Sequence, residues 1–154
     1  MSSILTEIYN QLEALAVTYT DKSGASVTPT VYSQETQIDN LYTAQLPCRI
    51  LMLPSAQGTI EPGGLTKTEW RITDMLLVEA EAQGVGQRDE YPQLTRYCVA
   101  YAEKIGTLWR YISGWSVEDN TIGITMAAGK FEFPTGSGER WYGVRCDLVI
   151  NEII

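Results

Sequence analysis

Glu69-Trp70-Arg71-Ile72-Thr73-Asp74-Met75-Leu76-Leu77-Val78-Glu79 is the stretch on which the fold turns. Trp70, Ile72, Leu76 and Val78 share one parity, while Glu69, Arg71, Thr73, Glu79 and Glu81 take the other. Period two with one apolar side is the pattern of a strand packed on a core by one face. A helix competes over Met75 to Ala82, but the alternation from Glu69 to Thr73 favours a long, half-solvated strand over Thr68–Ala82.

That face needs a cover, and helical spacing supplies two. Ile4, Ile8, Leu12, Leu15 and Tyr19 recur at intervals of three and four, with Ser2 or Ser3 as N-cap, predicting an amphipathic helix over about 3–17. Leu94, Tyr97, Cys98, Tyr101, Ile105, Leu108, Trp109 and Ile112 predict a longer one. Asp89 and Glu90 stand at its positive end, Pro92 in its first turn and Gly114 at its C-cap. Between the first helix and the central strand, Val27–Gln34 reads as an edge or end strand because of Pro29, and Cys48–Leu53 as a short, near-continuous apolar strand. Residues 54–66 carry Pro54, Gly58, Pro62, Gly63 and Gly64 with little apolar content, and read as a long loop. After Gly114, Trp115–Glu118, Ile122–Met126 and Lys130–Phe133 are short strand candidates, separated by Asp119-Asn120 and Ala127–Gly129. In Trp141–Ile150, the residues Tyr142, Val144, Cys146, Leu148 and Ile150 share one face of a final strand. The expected fold is α+β in a single domain over 1–154: an antiparallel or mixed sheet of five to six strands with two helices packed on one face.

A chain of 154 residues with 44% hydrophobic residues can bury a core without staples. The net charge of −8 opposes binding through nucleic-acid phosphates. Histidine is absent, and with it the usual neutral-pH base, the usual zinc and haem ligand and the Ser-His-Asp triad. Cys48, Cys98 and Cys146 are too far apart for a Cys-x-x-Cys site and read as reduced, buried, cytosolic thiols. No leader-like segment opens the chain, and its aliphatic runs are too short for a membrane span.

Gly84-Val85-Gly86 lacks the third glycine of a dinucleotide fingerprint, and no phosphate-binding Gly-Lys-Ser/Thr occurs. No catalytic residue, cofactor or metal site is expected. Glu79 and Glu81, about 7 Å apart on one strand face, suggest an alternative: a small soluble ligand-binding module or a carboxylate-dependent enzyme. A third reading is an adaptor that binds one protein as a monomer. Trp70, Trp109, Trp115, Trp141 and Tyr142 suit either a core or the anchors of an interface.

The N-terminal helix, the stretch from Glu69 to Glu79 leading to Gly84, the helix with Pro92, Tyr97 and Tyr101, then Gly129-Lys130-Phe131-Glu132-Phe133-Pro134 and Tyr142-Gly143-Val144, resemble siphophage tail terminator and head–tail joining proteins. The 54–66 segment departs from that pattern. The resemblance implies a structural virion protein of the tail or neck, assembled in the host cytoplasm. It implies a homo-oligomeric ring, commonly a hexamer, that ends the tail tube and joins it to the head-side connector protein, with duplex DNA passing through the lumen without tight binding. Expected assembly surfaces are the 54–66 loop, the 83–90 turn and the 127–140 segment. The residues singled out are Gly58, Ile60, Glu61, Gly63, Gly64, Arg88, Asp89, Lys130, Glu139 and Arg140.

Overall fold

A computed structural model describes residues 3–33, 46–64, 66–81, 87–132 and 140–153, with the backbone alone at 87–89. The elements run α1 (Leu5–Ala14), β1 (Tyr19–Thr20), β2 (Ser26–Val27), β3 (Thr30–Ser33), β4 (Cys48–Leu51), β5 (Ser55–Ile60), β6 (Thr66–Ala80), α2 (Gln87–Gly106), a 3-10 turn (Leu108–Tyr111), β7 (Thr121–Glu132) and β8 (Arg140–Ile153). Six strands form a mixed sheet in the order β3-β4-β6-β8-β7, with β5 also pairing β6, while β1 and β2 form a separate two-stranded sheet. Only β3 and β4 pair in parallel. The α+β class and the two helices therefore agree with the sequence reading.

The strand alternation of β6 is the organising feature. Its Ile72 and Leu76 join Val144, Cys146, Leu148 and Ile150 of β8 in one core, beneath Ile8 and Leu12 of α1 and Leu94, Tyr97, Tyr101 and Ile105 of α2. The other parity is apolar as well near the middle of β6: Met75 and Leu77 meet Cys48, Ile50 and Trp141 in a second cluster. The strand reading thus prevails over the helical one at Met75–Ala80 because both faces are occupied there by different neighbours.

Five expectations on element boundaries need correction. Residues 54–66 are not a long loop: β5 pairs antiparallel with β6 from Ser55↔Arg71 to Ile60↔Thr66, a hairpin. Gly63 and Gly64 turn the chain at φ +96° and +87°, a region that glycine enters without a Cβ penalty. Ala127–Gly129 does not break the strand, because Ala127, Ala128 and Gly129 all keep partners on β8, making β7 one strand of 12 residues. Trp115–Glu118 is not a strand and leads into β7 through a turn. α2 starts at Gln87 and ends at Gly106, so Pro92 lies inside the helix, past the first turn where it was expected, and Gly114 lies beyond the 3-10 turn and is not the C-cap. The first helix is also shorter than expected, ending at Ala14.

Candidate functional site

The expected assembly residues fall into two groups at opposite ends of the β6–β8 ladder. Gly58 and Ile60 lie on β5, whose six residues are all exposed, and Glu61, Gly63 and Gly64 form the tip of its hairpin. Ile60 is 81% exposed. Lys67 of β6 donates to Glu61 at 2.9 Å and ties the tip to its own strand. Lys130 and Arg140 lie at the far end, roughly 45 Å away by the rise of β6, and converge on one carboxylate. Lys130 Nζ lies 2.9 Å from Glu81 Oε1, and Arg140 Nε 3.1 Å from Glu81 Oε2. These pairs bind the ends of β6, β7 and β8 together. The backbone of Arg88 and Asp89 lies in the first turn of α2, without a described side chain; Glu139 and the 83–86 part of the expected turn lie outside the described residues.

Glu79 and Glu81 do not make a carboxylate pair. The β6–β8 register shifts between Leu77 and Glu79, and β6 ends at Ala80, so the two acids enter different clusters. Glu79 takes the ammonium of Lys22, which also donates to Glu90 at 2.7 Å. The Lys22 contact holds the Glu79 carboxyl below the ordinary carboxylate range, and the Lys130 hydrogen bond, aided by Arg140, does the same for Glu81. Glu90 shifts the other way, raised first by burial. Its carboxylate also accepts from Gln93 Nε2 at 2.5 Å. With Arg96 donating to the carbonyls of Thr20 and Asp21, this cluster locks the small β1–β2 sheet onto α2.

Sequence reasoning missed a buried charge network. Arg49 and Asp74 are both fully buried, on adjacent strands β4 and β6. Arg49 Nε and Nη2 donate to Asp74 Oδ1 and Oδ2 at 3.2 and 2.5 Å, and Tyr101 donates its hydroxyl to Asp74 Oδ2 at 2.7 Å. The same guanidinium donates to the Leu15 carbonyl at 2.6 Å and to the Leu12 carbonyl, which also accepts from Leu15 N, at 3.2 Å, capping the C-terminal end of α1. One side chain therefore joins the sheet, α1 and α2. The signal was an Arg inside the run Cys48–Leu53 and an Asp inside Thr73–Val78. Glu152 does a comparable job at the other end of α1, accepting from Ile4 N at 3.1 Å, Ser3 Oγ at 2.5 Å and Trp70 Nε1 at 2.6 Å. Both networks are structural: each charge is matched to a partner held by the fold.

The aromatic residues divide between the two readings offered for them. Trp141 and Tyr142 are buried and Trp70 is half-buried, whereas Trp109 is 43% exposed on the 3-10 turn. Beside it, Ile105, Trp115, Ile122 and Ile124 line an apolar groove of about 220 Å³ between the end of α2 and β7. A more open, polar cleft of about 530 Å³ lies across β5, β6 and β8, lined by Gln57, Lys67, Glu69, Asn151 and Asp119 among others. Cys48 and Cys146 are buried, and burial pushes the Cys48 thiol up to about 12 and Cys146 further in the same direction, which suppresses thiolate chemistry at both. Among the described residues, no group of three His, Cys, Asp or Glu side chains could hold a metal, and no helix is long and apolar enough to cross a membrane. No family model and no curated protein matches the chain.

Proposed function

We propose that this chain is a structural virion protein that forms a ring at the head-proximal end of a phage tail, ending the tail tube and joining it to the head-side connector. The observation that carries this reading is the placement of the candidate contact residues. One group stands on the β5 hairpin and the other around Glu81, Lys130 and Arg140, at opposite ends of one stiff antiparallel ladder. A joining ring needs two ends that meet different proteins, and a ladder running along the ring axis provides them. The net charge of −8 suits a conduit from which DNA phosphates are repelled. The ionised carboxylates of Glu79 and Glu81 are held by cations of the fold, which weakens the alternative of an enzyme built on that pair.

Native mass measurement and negative-stain imaging of the purified chain test the reading. Closed rings of one stoichiometry, with no retardation of duplex DNA at physiological salt, are expected. Monomers at every concentration, or tight duplex binding, would remove it.

A further inference from the structure

An apolar belt crosses the face of the sheet opposite the helices and reaches both of its sides. It runs from Tyr32 of β3 through Ile50 of β4 and Met75 and Leu77 of β6 to Trp141 of β8 and Phe131 of β7. Its residues on β4, β6 and β8 are buried, whereas Tyr32 and Phe131 at the two ends are only half-buried. β3 and β7 close the strand order, and among the described residues each pairs with one strand only. β5 does not compete with β3 for that place, because it continues the β4 lane along β6 and leaves β3 one lane further out.

The register sets the two ends of the belt at one height. Thr30 pairs with Cys48, Cys48 with Leu77, Leu77 with Gly143 and Gly143 with Gly129; likewise Tyr32 leads through Ile50, Met75 and Arg145 to Ala127. Thr30–Ser33 and Met126–Gly129 therefore occupy the same four rows on opposite edges. A closed ring repeats by rotation without rise, so copies arranged about an axis along the strands meet in equal rows. Strand direction reverses from β7 to β8, from β8 to β6 and from β6 to β4, and is kept from β4 to β3. The β3 of one copy set beside the β7 of the next is thus an antiparallel neighbour.

In those rows the two edges are complementary in size. β3 offers Val31 and Tyr32, and Pro29 just before it ends the run of available backbone N–H groups. β7 offers Ala127, Ala128 and Gly129. At Gly129 a Cβ would meet only ordinary contact with Phe131 Cζ, 3.6 Å away, so the packing of one chain does not demand a glycine there. The same distance shows the Phe131 ring leaning over Gly129, into the row of Thr30 and diagonal to Tyr32, within reach of an aromatic pair across an antiparallel contact. Neither edge carries a charge in these rows, the usual guard of an open strand.

We infer that the occupant of the β7 edge is the β3 strand of a second copy of this chain, in a head-to-tail antiparallel contact that sets Val31 against Ala128 and Tyr32 against Ala127 and joins the belts of successive copies into one. Four rows of ladder are a narrow strip, whereas a stable contact needs about 800 Å² from each partner. Tyr32 against Phe131 on the belt face, and Met126, Ile124 and the exposed Trp109 along the helix side of β7, supply the added breadth. The inference rests on the ring reading above and specifies its lateral interface.

The test uses the full chain with Cys98→Ser as background, the other two cysteines being buried. One population carries Val31→Cys and another Ala128→Cys; the two are co-expressed and the purified mixture is oxidised. Disulfide-linked dimers are expected from the mixture and not from either population alone. Thr30→Lys and Ala127→Glu, at exposed positions that should leave circular dichroism and melting unchanged, are each expected to weaken self-association about tenfold or more by placing a charge in the contact. The double variant should recover most of that loss, because residues 30 and 127, about 20 Å apart across four strand spacings of one chain, come together only between copies. Rings that form without the mixed crosslink and tolerate both single substitutions would overturn this interface and leave the ring reading standing. Crosslinking of Ala128→Cys with itself would overturn it in favour of a two-fold dimer through β7. Monomers at every concentration would overturn the interface and the ring together.

Discussion

One strand, β6, has two different partners along the same side, and the contrast between them separates what holds this protein together from what it has left to offer. Over Asp74–Leu77 it pairs with β4, Cys-Arg-Ile-Leu, every residue of which is buried. Over Thr66–Arg71 it pairs with β5, Ser-Ala-Gln-Gly-Thr-Ile, every residue of which is exposed. Backbone pairing is the same in kind in both halves. The β4 half gains a core on both faces and a buried ion pair, while the β5 half gains little beyond its ladder and the Lys67–Glu61 contact. The lesson is that ladder hydrogen bonds define the shape of an element, and burial decides whether the domain depends on it.

The sharpest way to break this comparison is to attack the β4 half through its charges. Asp74→Ala leaves the Arg49 guanidinium buried without its carboxylate and Tyr101 without its acceptor, and should cost about 3–5 kcal/mol, measured by chemical denaturation. Arg49→Met with Asp74→Leu should recover part of that loss, because no buried charge remains unpaired. If the single substitution cost less than about 1 kcal/mol, the network would not be holding the sheet to the helices. Slightly smaller is Gly143→Ala. Gly143 lies opposite Leu77, and a Cβ there would collide with the Leu76 carbonyl oxygen, a backbone atom that cannot step aside. Overpacking against β6 should cost about 1–3 kcal/mol or more.

How much of this was readable in advance follows the same division. The parity of Trp70, Ile72, Leu76 and Val78, and the helical spacing from Leu94 to Ile105, were plain because a one-sided apolar environment imposes a period on the sequence. Arg49 and Asp74 were hidden because each is a single polar residue in an apolar run, and only the β4–β6 register, which sets Arg49 opposite Leu76 and Asp74 opposite Leu51, makes them diagonal neighbours on one face. The β5 hairpin was mistaken for a loop because a strand exposed on both faces needs no alternation; its one local signal was the Gly63-Gly64 pair. Ala127–Gly129 looked like a break because small residues have low strand propensity, which pairing along β8 overrides. The candidate contact residues were named in segments, but their arrangement as two groups at the ends of the ladder depends on strand register that no local pattern carries.

A third outcome probes the charged rim rather than either half of β6. Glu7, whose carboxyl is held down by the Ser113 hydroxyl and amide, shifts below its ordinary value, as do Asp21 beside Ser23, Glu79 beside Lys22 and Glu81 beside Lys130. Each has a lower pKa folded than unfolded, so its contribution is complete above the ordinary carboxylate range and is lost as pH falls through the folded value. Glu90, raised by burial, works in the opposite sense: its folded form favours the proton, and stability falls as pH rises from its ordinary value of 4.5 towards the folded one. Four groups against one predict a net loss of stability below about pH 4.5. Melting temperatures across pH 3–7 should show it. Glu81→Gln should flatten the acid slope and Glu90→Gln should steepen it; the reverse order would mean that the Lys22 and Lys130 clusters are wrongly assigned.

The smallest effect on the domain should come from the hairpin tip, and there the contrast is tested in its most exacting form. Gly63 and Gly64 both have positive φ, and no atom lies near either position where a Cβ would stand, so the penalty for alanine is one of backbone conformation alone. In an element on which the whole fold depended, about 1–2 kcal/mol of such strain would appear in global stability. β5 buries none of its residues, so the strain should be released by local opening of the hairpin, which the rest of the domain does not share. Gly63→Ala and Gly64→Ala should therefore change the global unfolding free energy by less than about 0.5 kcal/mol. Hydrogen exchange at the amides of β5 should quicken by about tenfold, with exchange in β4 and β8 unaltered. If global stability fell by the full strain energy, β5 would belong to the same cooperative unit as β4, and exposure would not mark the part of the ladder that the domain can lose.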